Sequence, residues 1–129
     1  MKNVSKLFII FTLISINISC SKKIEDNKVS QSPEDLYKLA MIDLDSENYE
    51  SAKKQFELIE FNFPLSNEAV QSKLMIAFID YANMNYDEAI YKFNRFINVY
   101  PAHKNIDYAF YMRAMCYYEQ IENEFLDGN

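Results

Sequence analysis

YESAKKQFELIEFNFP at residues 49–64 and YDEAIYKFNRFINVYP at residues 86–101 are one pattern written twice. Tyr49 and Tyr86, Ala52 and Ala89, Phe56 and Phe93, and Pro64 and Pro101 each stand 37 residues apart. The same interval joins Ala40, Ala77 and Ala114. Five independent positions sharing one offset mark an internal repeat. Working outward, the spacing predicts two helices per unit: 34–46 with 49–62, then 68–83 with 86–99. A further first helix is expected over residues 105 to about 122. The units run 33–66, 67–103 and 104–129, the third incomplete, which points to a C-terminally truncated fragment.

An antiparallel helix pair explains the repeated residues. Alanine at 40 and 77 lets the first helix approach its partner closely, and Ala52 and Ala89 do the same from the second. Phe56 and Phe93 fill the space between units. Asn48 and Asn85 suit the turn between paired helices. Pro64 and Pro101 close the second helices, because proline disfavours helical geometry in the residue before it. Ser32 with Pro33 supplies a capping hydroxyl and a first-turn proline, and Ser66 stands in a similar place in the second unit.

Composition agrees with an all-α chain. Among 129 residues there is one Gly, three Pro and no Trp, with ten Tyr and ten Phe. So few breakers leave little room for hairpins or a sandwich. The pattern resembles the tetratricopeptide repeat: Ala40, Ala52, Phe56 and Pro64 fall on that motif's small, alanine, aromatic and proline positions, and Ala77, Ala89, Phe93 and Pro101 follow. Leu36 and Lys73 replace the motif's Trp, and each unit is three residues longer. The resemblance implies an all-α fold of antiparallel helix pairs forming a short right-handed solenoid.

The first nineteen residues read as a signal peptide. Lys2 and Lys6 precede LFIIFTLISINI at 7–18, which is too short for a bilayer span of about 20 residues. Ser19-Cys20-Ser21 resembles the lipobox of bacterial lipoproteins, in which the Cys is lipidated; the alternative is ordinary cleavage that leaves Cys20 a free thiol. Residues 20–32 then form the lipidated Cys and a flexible polar tether. Ser21 in place of Asp favours sorting to the outer membrane. Removing Lys2 and Lys6 takes the net charge from −6 to −8. Such acidity argues against nucleic acid as a partner, because a phosphate binder needs a basic face.

The first helices of such repeats line a concave face at i, i+4 and i+7. The candidate peptide-binding residues are Tyr37 and Met41 (with Leu44), then Leu74, Phe78 and Tyr81, then Tyr108, Tyr111, Met115 and Tyr118. Tyrosine and methionine suit adaptable surfaces. The competing reading is that this stripe is core. Catalytic chemistry is not indicated. His103 is a lone loop histidine, so metal binding is not expected. Cys116 reads as a small buried hydrophobe. Glu57, Glu60, Asp87 and Glu88 lie on solvated faces, and no glycine-rich loop could cradle phosphate. No cofactor is expected.

The run from Phe63 to Gln120, and His103–Met115 within it most of all, is similar to the outer-membrane assembly lipoprotein family BamD (ComL). That resemblance implies a non-catalytic scaffold of the β-barrel assembly machinery, anchored by lipid on the periplasmic face of the outer membrane. The implied partners are the barrel-forming subunit, other machinery lipoproteins and unfolded outer-membrane precursors, whose C-terminal segment ends in an aromatic residue. A different periplasmic tetratricopeptide lipoprotein, acting in division or envelope maintenance, is the alternative.

Overall fold

A computed structural model describes residues 32–127 as five helices. They are α1 (Pro33–Asp45), α2 (Tyr49–Asn62), α3 (Asn67–Ala82), α4 (Tyr86–Val99) and α5 (Ile106–Asp127). The expected signal segment and Cys20 lie outside the described residues. Each helix packs chiefly on its neighbours in the chain, and α1–α3 and α3–α5 also touch across the unit boundaries. The result is an all-α, tetratricopeptide-like solenoid. The first four helices match their expected spans to within a residue at each end, whereas α5 runs five residues further.

The helix ends repeat as faithfully as the helices. Ser32 caps α1 by accepting from the Asp35 N–H at 3.2 Å, and Ser66 caps α3 by accepting from the Ala69 N–H at 3.0 Å. At the far ends, the Asn48 N–H donates to the Asp43 carbonyl at 2.9 Å and the Asn85 N–H to the Asp80 carbonyl at 2.8 Å. This six-to-one bond belongs to the Schellman closure, which needs a residue with positive φ just before it. That residue is Glu47 (φ 58°) in one unit and Met84 (φ 61°) in the next. The turn therefore bends at the residue ahead of each asparagine. Asn48 and Asn85 occupy the cap positions of α2 and α4 without a side-chain cap bond.

Two core clusters follow from the period. The first joins Leu36, Ala40, Leu44, Ala52, Phe56 and Ile59 to Ala69, Ile76 and Ile79 of the next unit. The second joins Leu74, Ala77, Ala89, Phe93, Phe96 and Ile97 to Ala109, Met112 and Cys116. Ala40 and Ala77, Ala52 and Ala89, and Phe56 and Phe93 are all completely buried. Each buried Phe contributes about 1.5–3 kcal/mol relative to an exposed one. Helix α3 feeds both clusters, Ile76 and Ile79 on one side and Leu74 and Ala77 on the other. Ala114, the third member of the alanine series, is exposed, because among the described residues no helix lies on that side of α5.

A buried carboxylate ties the units together. Asp80 on α3 is 2% exposed and accepts from Lys53 Nζ of α2 at 2.7 Å. Lys92 of α4 meets its other oxygen, so one side chain clasps three helices. Its counterpart one period earlier, Asp43, accepts instead from neutral groups, Ser51 Oγ and Gln55 Nε2.

Candidate functional site

The nine stripe residues do not form one continuous surface. Leu74 is completely buried inside the second cluster and offers nothing to a ligand. Its neighbours explain this: α3 is covered on both sides, so a position that faces outward on an end helix faces inward there. Tyr37, Met41 and Phe78 are half-buried against the first cluster. Tyr81 and Tyr108 are half-buried against the second, which Phe78 also touches. Met115 is half-buried as well, whereas Tyr111 and Tyr118 on α5 are exposed.

Around Tyr81 the structure gathers aromatic rings from two helices, α3 and α4. Its ring lies 6.3 Å from Phe78 and 5.8 Å from Tyr86, both tilted. Such pairs add about 0.5–1.5 kcal/mol beyond the area they bury. The Tyr81 hydroxyl donates to Glu119 of α5 at 3.4 Å. Burial, with the nearby Glu119 carboxylate, raises the Tyr81 phenol above its ordinary range. Tyr108 is raised too, mainly by burial, then by the hydroxyls of Tyr111 and Tyr81. Both phenols are therefore held as neutral donors, the form that can bond a carbonyl.

A polar recess lies beside Tyr37. It encloses about 750 Å³ between Tyr37, the start of α3 (Asn67, Glu68, Gln71) and the loop entering α5 (Ala102–Asn105). Burial raises the Tyr37 phenol to about 12, against the lowering effect of its hydrogen bond to Gln71. Gln71 Oε1 in turn accepts from Asn105 Nδ2 at 3.1 Å. The chain Tyr37–Gln71–Asn105 thus crosses all three units. Amide side chains carry both donor and acceptor, so they can pair with an extended peptide backbone.

His103 is less peripheral than its loop position suggests. Its ring stands edge-on to Phe96, 5.1 Å between centroids, and Nδ1 accepts from the Asn105 N–H at 3.1 Å. Burial, then the Lys104 charge, lowers its pKa, which keeps Nδ1 free to accept. The 37-residue period does not reveal Gln71 and Asn105 as partners, because they are 34 residues apart, out of step with it.

Cys116 is completely buried, and burial pushes its thiol to about 11. A thiol in that state is a poor nucleophile. Among the described residues no three His, Cys, Asp or Glu side chains converge as metal ligands. Also among the described residues, no helix is long and apolar enough to cross a membrane.

Comparison with known proteins places these features in a family. Residues 29–127 match YfiO, outer membrane lipoprotein. The chain is 36% identical over 101 residues to the outer membrane protein assembly factor BamD of Neisseria meningitidis serogroup B, covering 77% of this chain and 38% of that protein. It is 33% identical over 104 residues to BamD of Rickettsia prowazekii, covering 81% and 41% respectively. BamD of Caulobacter vibrioides is 39% identical over 86 residues, covering 67% of this chain and 28% of the relative. The chain thus spans about two fifths of the length of the first relatives or less.

Proposed function

The chain belongs to the YfiO/BamD family of outer membrane lipoproteins, and from that premise we propose that it is a non-catalytic scaffold in outer-membrane protein assembly. Its work is to hold unfolded outer-membrane precursors for the barrel-forming subunit, from the periplasmic face of the outer membrane, with Cys20 as the lipid anchor. Two observations support this reading, the polar recess beside Tyr37 and the aromatic cluster around Tyr81. The first offers amides to an extended backbone, and the second offers rings and neutral phenols to an aromatic side chain. Leu74 has no part in it. Tyr37, Phe78, Tyr81, Tyr108 and Tyr111 form the working set, with Met41, Met115 and Tyr118 at its margins.

Recovery of the barrel-forming subunit and machinery lipoproteins in a pull-down from detergent-solubilised outer membranes tests the scaffold role. Absence of the barrel-forming subunit would overturn it, and recovery of division proteins instead would favour a different envelope adaptor. For the site, Tyr81→Ala combined with Tyr111→Ala should weaken binding of a peptide ending in Phe while helicity by circular dichroism is unchanged. Loss of helicity instead would assign those rings to the core.

A further inference from the structure

A second, smaller recess lies where α2, α3 and α4 meet, with a volume of about 180 Å³. Its wall carries Lys73, Lys92 and Arg95, with Glu60 the one carboxylate in the lining. The floor and rim are apolar: Ile76, Phe96, Val99 and Tyr100. Three cations around one small recess stand out on a chain whose formal charge is −6.

The repeat itself shows that the fold does not require them. One period earlier, the positions of Lys73, Lys92 and Arg95 are held by Leu36, Gln55 and Leu58. Every cation in the recess is thus a place where the second unit departs from the first. Inter-helix pairing accounts for part of the change: Lys73 meets Glu60, and Lys92 meets Asp80, with Glu88 at 3.8 Å. Each ammonium still has N–H donors to spare. Arg95 is exposed, with no hydrogen bond or ion pair among the described residues. It has five donors to offer.

A second observation lies next to the first. The end of α2 that supplies Glu60 also projects Phe61, 84% exposed, and leads into Leu65, 99% exposed. Val99, on the rim, is 56% exposed. Leu58 and Phe61 share a face of α2 at i, i+3, and Leu65 projects from the turn that follows, so this end of the unit presents exposed apolar side chains. Cations beside projecting apolar side chains are the combination that settles at a lipid interface.

We propose that this face touches the membrane, and that the Lys73–Lys92–Arg95 recess binds the phosphate of an acidic phospholipid headgroup. The ammonium and guanidinium groups meet the phosphate oxygens, Arg95 by its fork of N–H groups. Ile76, Phe96 and Val99 lie against the glycerol and first methylenes, and Phe61 and Leu65 enter the interface. A phosphate has enough oxygens for three separated cations, whereas a single carboxylate has two.

The test uses the chain without residues 1–20, which leaves every core residue from Leu36 to Cys116 in place, so that neither signal segment nor acyl group contributes. Co-flotation with phosphatidylcholine vesicles is compared with vesicles that also contain phosphatidylglycerol. Binding is expected only with phosphatidylglycerol, and it should fall as salt is raised. Arg95→Leu, which copies the first unit, should weaken partitioning about fivefold, and Arg95→Glu on the order of 25-fold. Phe61→Ser, at a site that touches no core, should weaken it too, with circular dichroism unchanged in all three variants. Equal binding to both vesicles, or full binding by Arg95→Glu, overturns the assignment. So does competition by headgroup glycerophosphate as effective as the vesicles, which would mean a free-phosphate site. Arg95-dependent binding of a peptide with a free C-terminal carboxylate, without vesicle binding, would reassign the recess to polypeptide termini.

Discussion

Replacing Asp80 with alanine should destabilise the protein by about 3 kcal/mol. The side chain is 2% exposed and accepts from two lysines on different helices, so its removal cuts ties from α3 to both α2 and α4. Breaking a buried ion pair costs about 3–5 kcal/mol when the partner charge stays buried. Here the side chains of Lys53 and Lys92 are 33% and 27% exposed, so their ammonium groups can turn toward water. That puts the cost at the lower end. In a domain of this size it corresponds to a fall in Tm of roughly 15 °C. Asp43→Ala is the internal control, since the same position one period earlier bonds only Ser51 and Gln55. Its cost should be about 1 kcal/mol. Urea unfolding followed by circular dichroism measures both, with the slope unchanged. Equal losses at the two positions would refute the claim that the charged clasp holds the units together. Replacing Lys53, Asp80 and Lys92 together by Met, Leu and Met should recover most of the loss, because apolar side chains of similar volume carry no desolvation penalty.

Three further outcomes follow from local geometry. Met84→Gly should raise stability by roughly 0.5–1 kcal/mol, since φ is 61° and the side chain is 73% exposed, leaving nothing to lose but strain; a drop in the urea midpoint would contradict this. Cys116 should resist alkylation by iodoacetamide at pH 8 until the chain is unfolded, because its thiol is buried and raised to about 11; rapid labelling of the native chain would count against its placement. His103 binds a proton more weakly folded than unfolded. Its contribution is therefore complete above the ordinary histidine pKa of about 6.5 and is lost as pH falls through that value toward the folded one. An NMR titration of its ring should show a midpoint below that value, and a midpoint above it would sink the reading.

Much of the fold was legible because the period reports packing directly. A 37-residue interval shared by Ala40, Ala52, Phe56 and their partners places the same side chains in the same contacts twice. What the period hides is whatever breaks it. The stripe spacing makes Leu74 equivalent to Tyr37 and Tyr111, yet α3 has neighbours on both sides whereas, among the described residues, α5 does not. Asn48 and Asn85 mark the turns in the sequence because their side chains favour local bonds, but the closure needs only positive φ, which Glu47 and Met84 supply without a compositional signal. The Tyr37–Gln71–Asn105 chain crosses unit boundaries out of register, so no comparison of units could display it.

The double duty of α3 has a mechanical consequence. A load applied at the N-terminus meets α1 and α2 first, and these are held to the following helices by the first cluster and the Lys53–Asp80 and Glu60–Lys73 ion pairs. Peeling them away exposes the Ile76–Ile79 side of α3 but leaves Leu74 and Ala77 seated against α4 and α5. Nearest-neighbour solenoids yield one interface at a time. Extension under force should therefore proceed in two steps, with the Lys53–Asp80 tie parting in the first and α3 surrendering last.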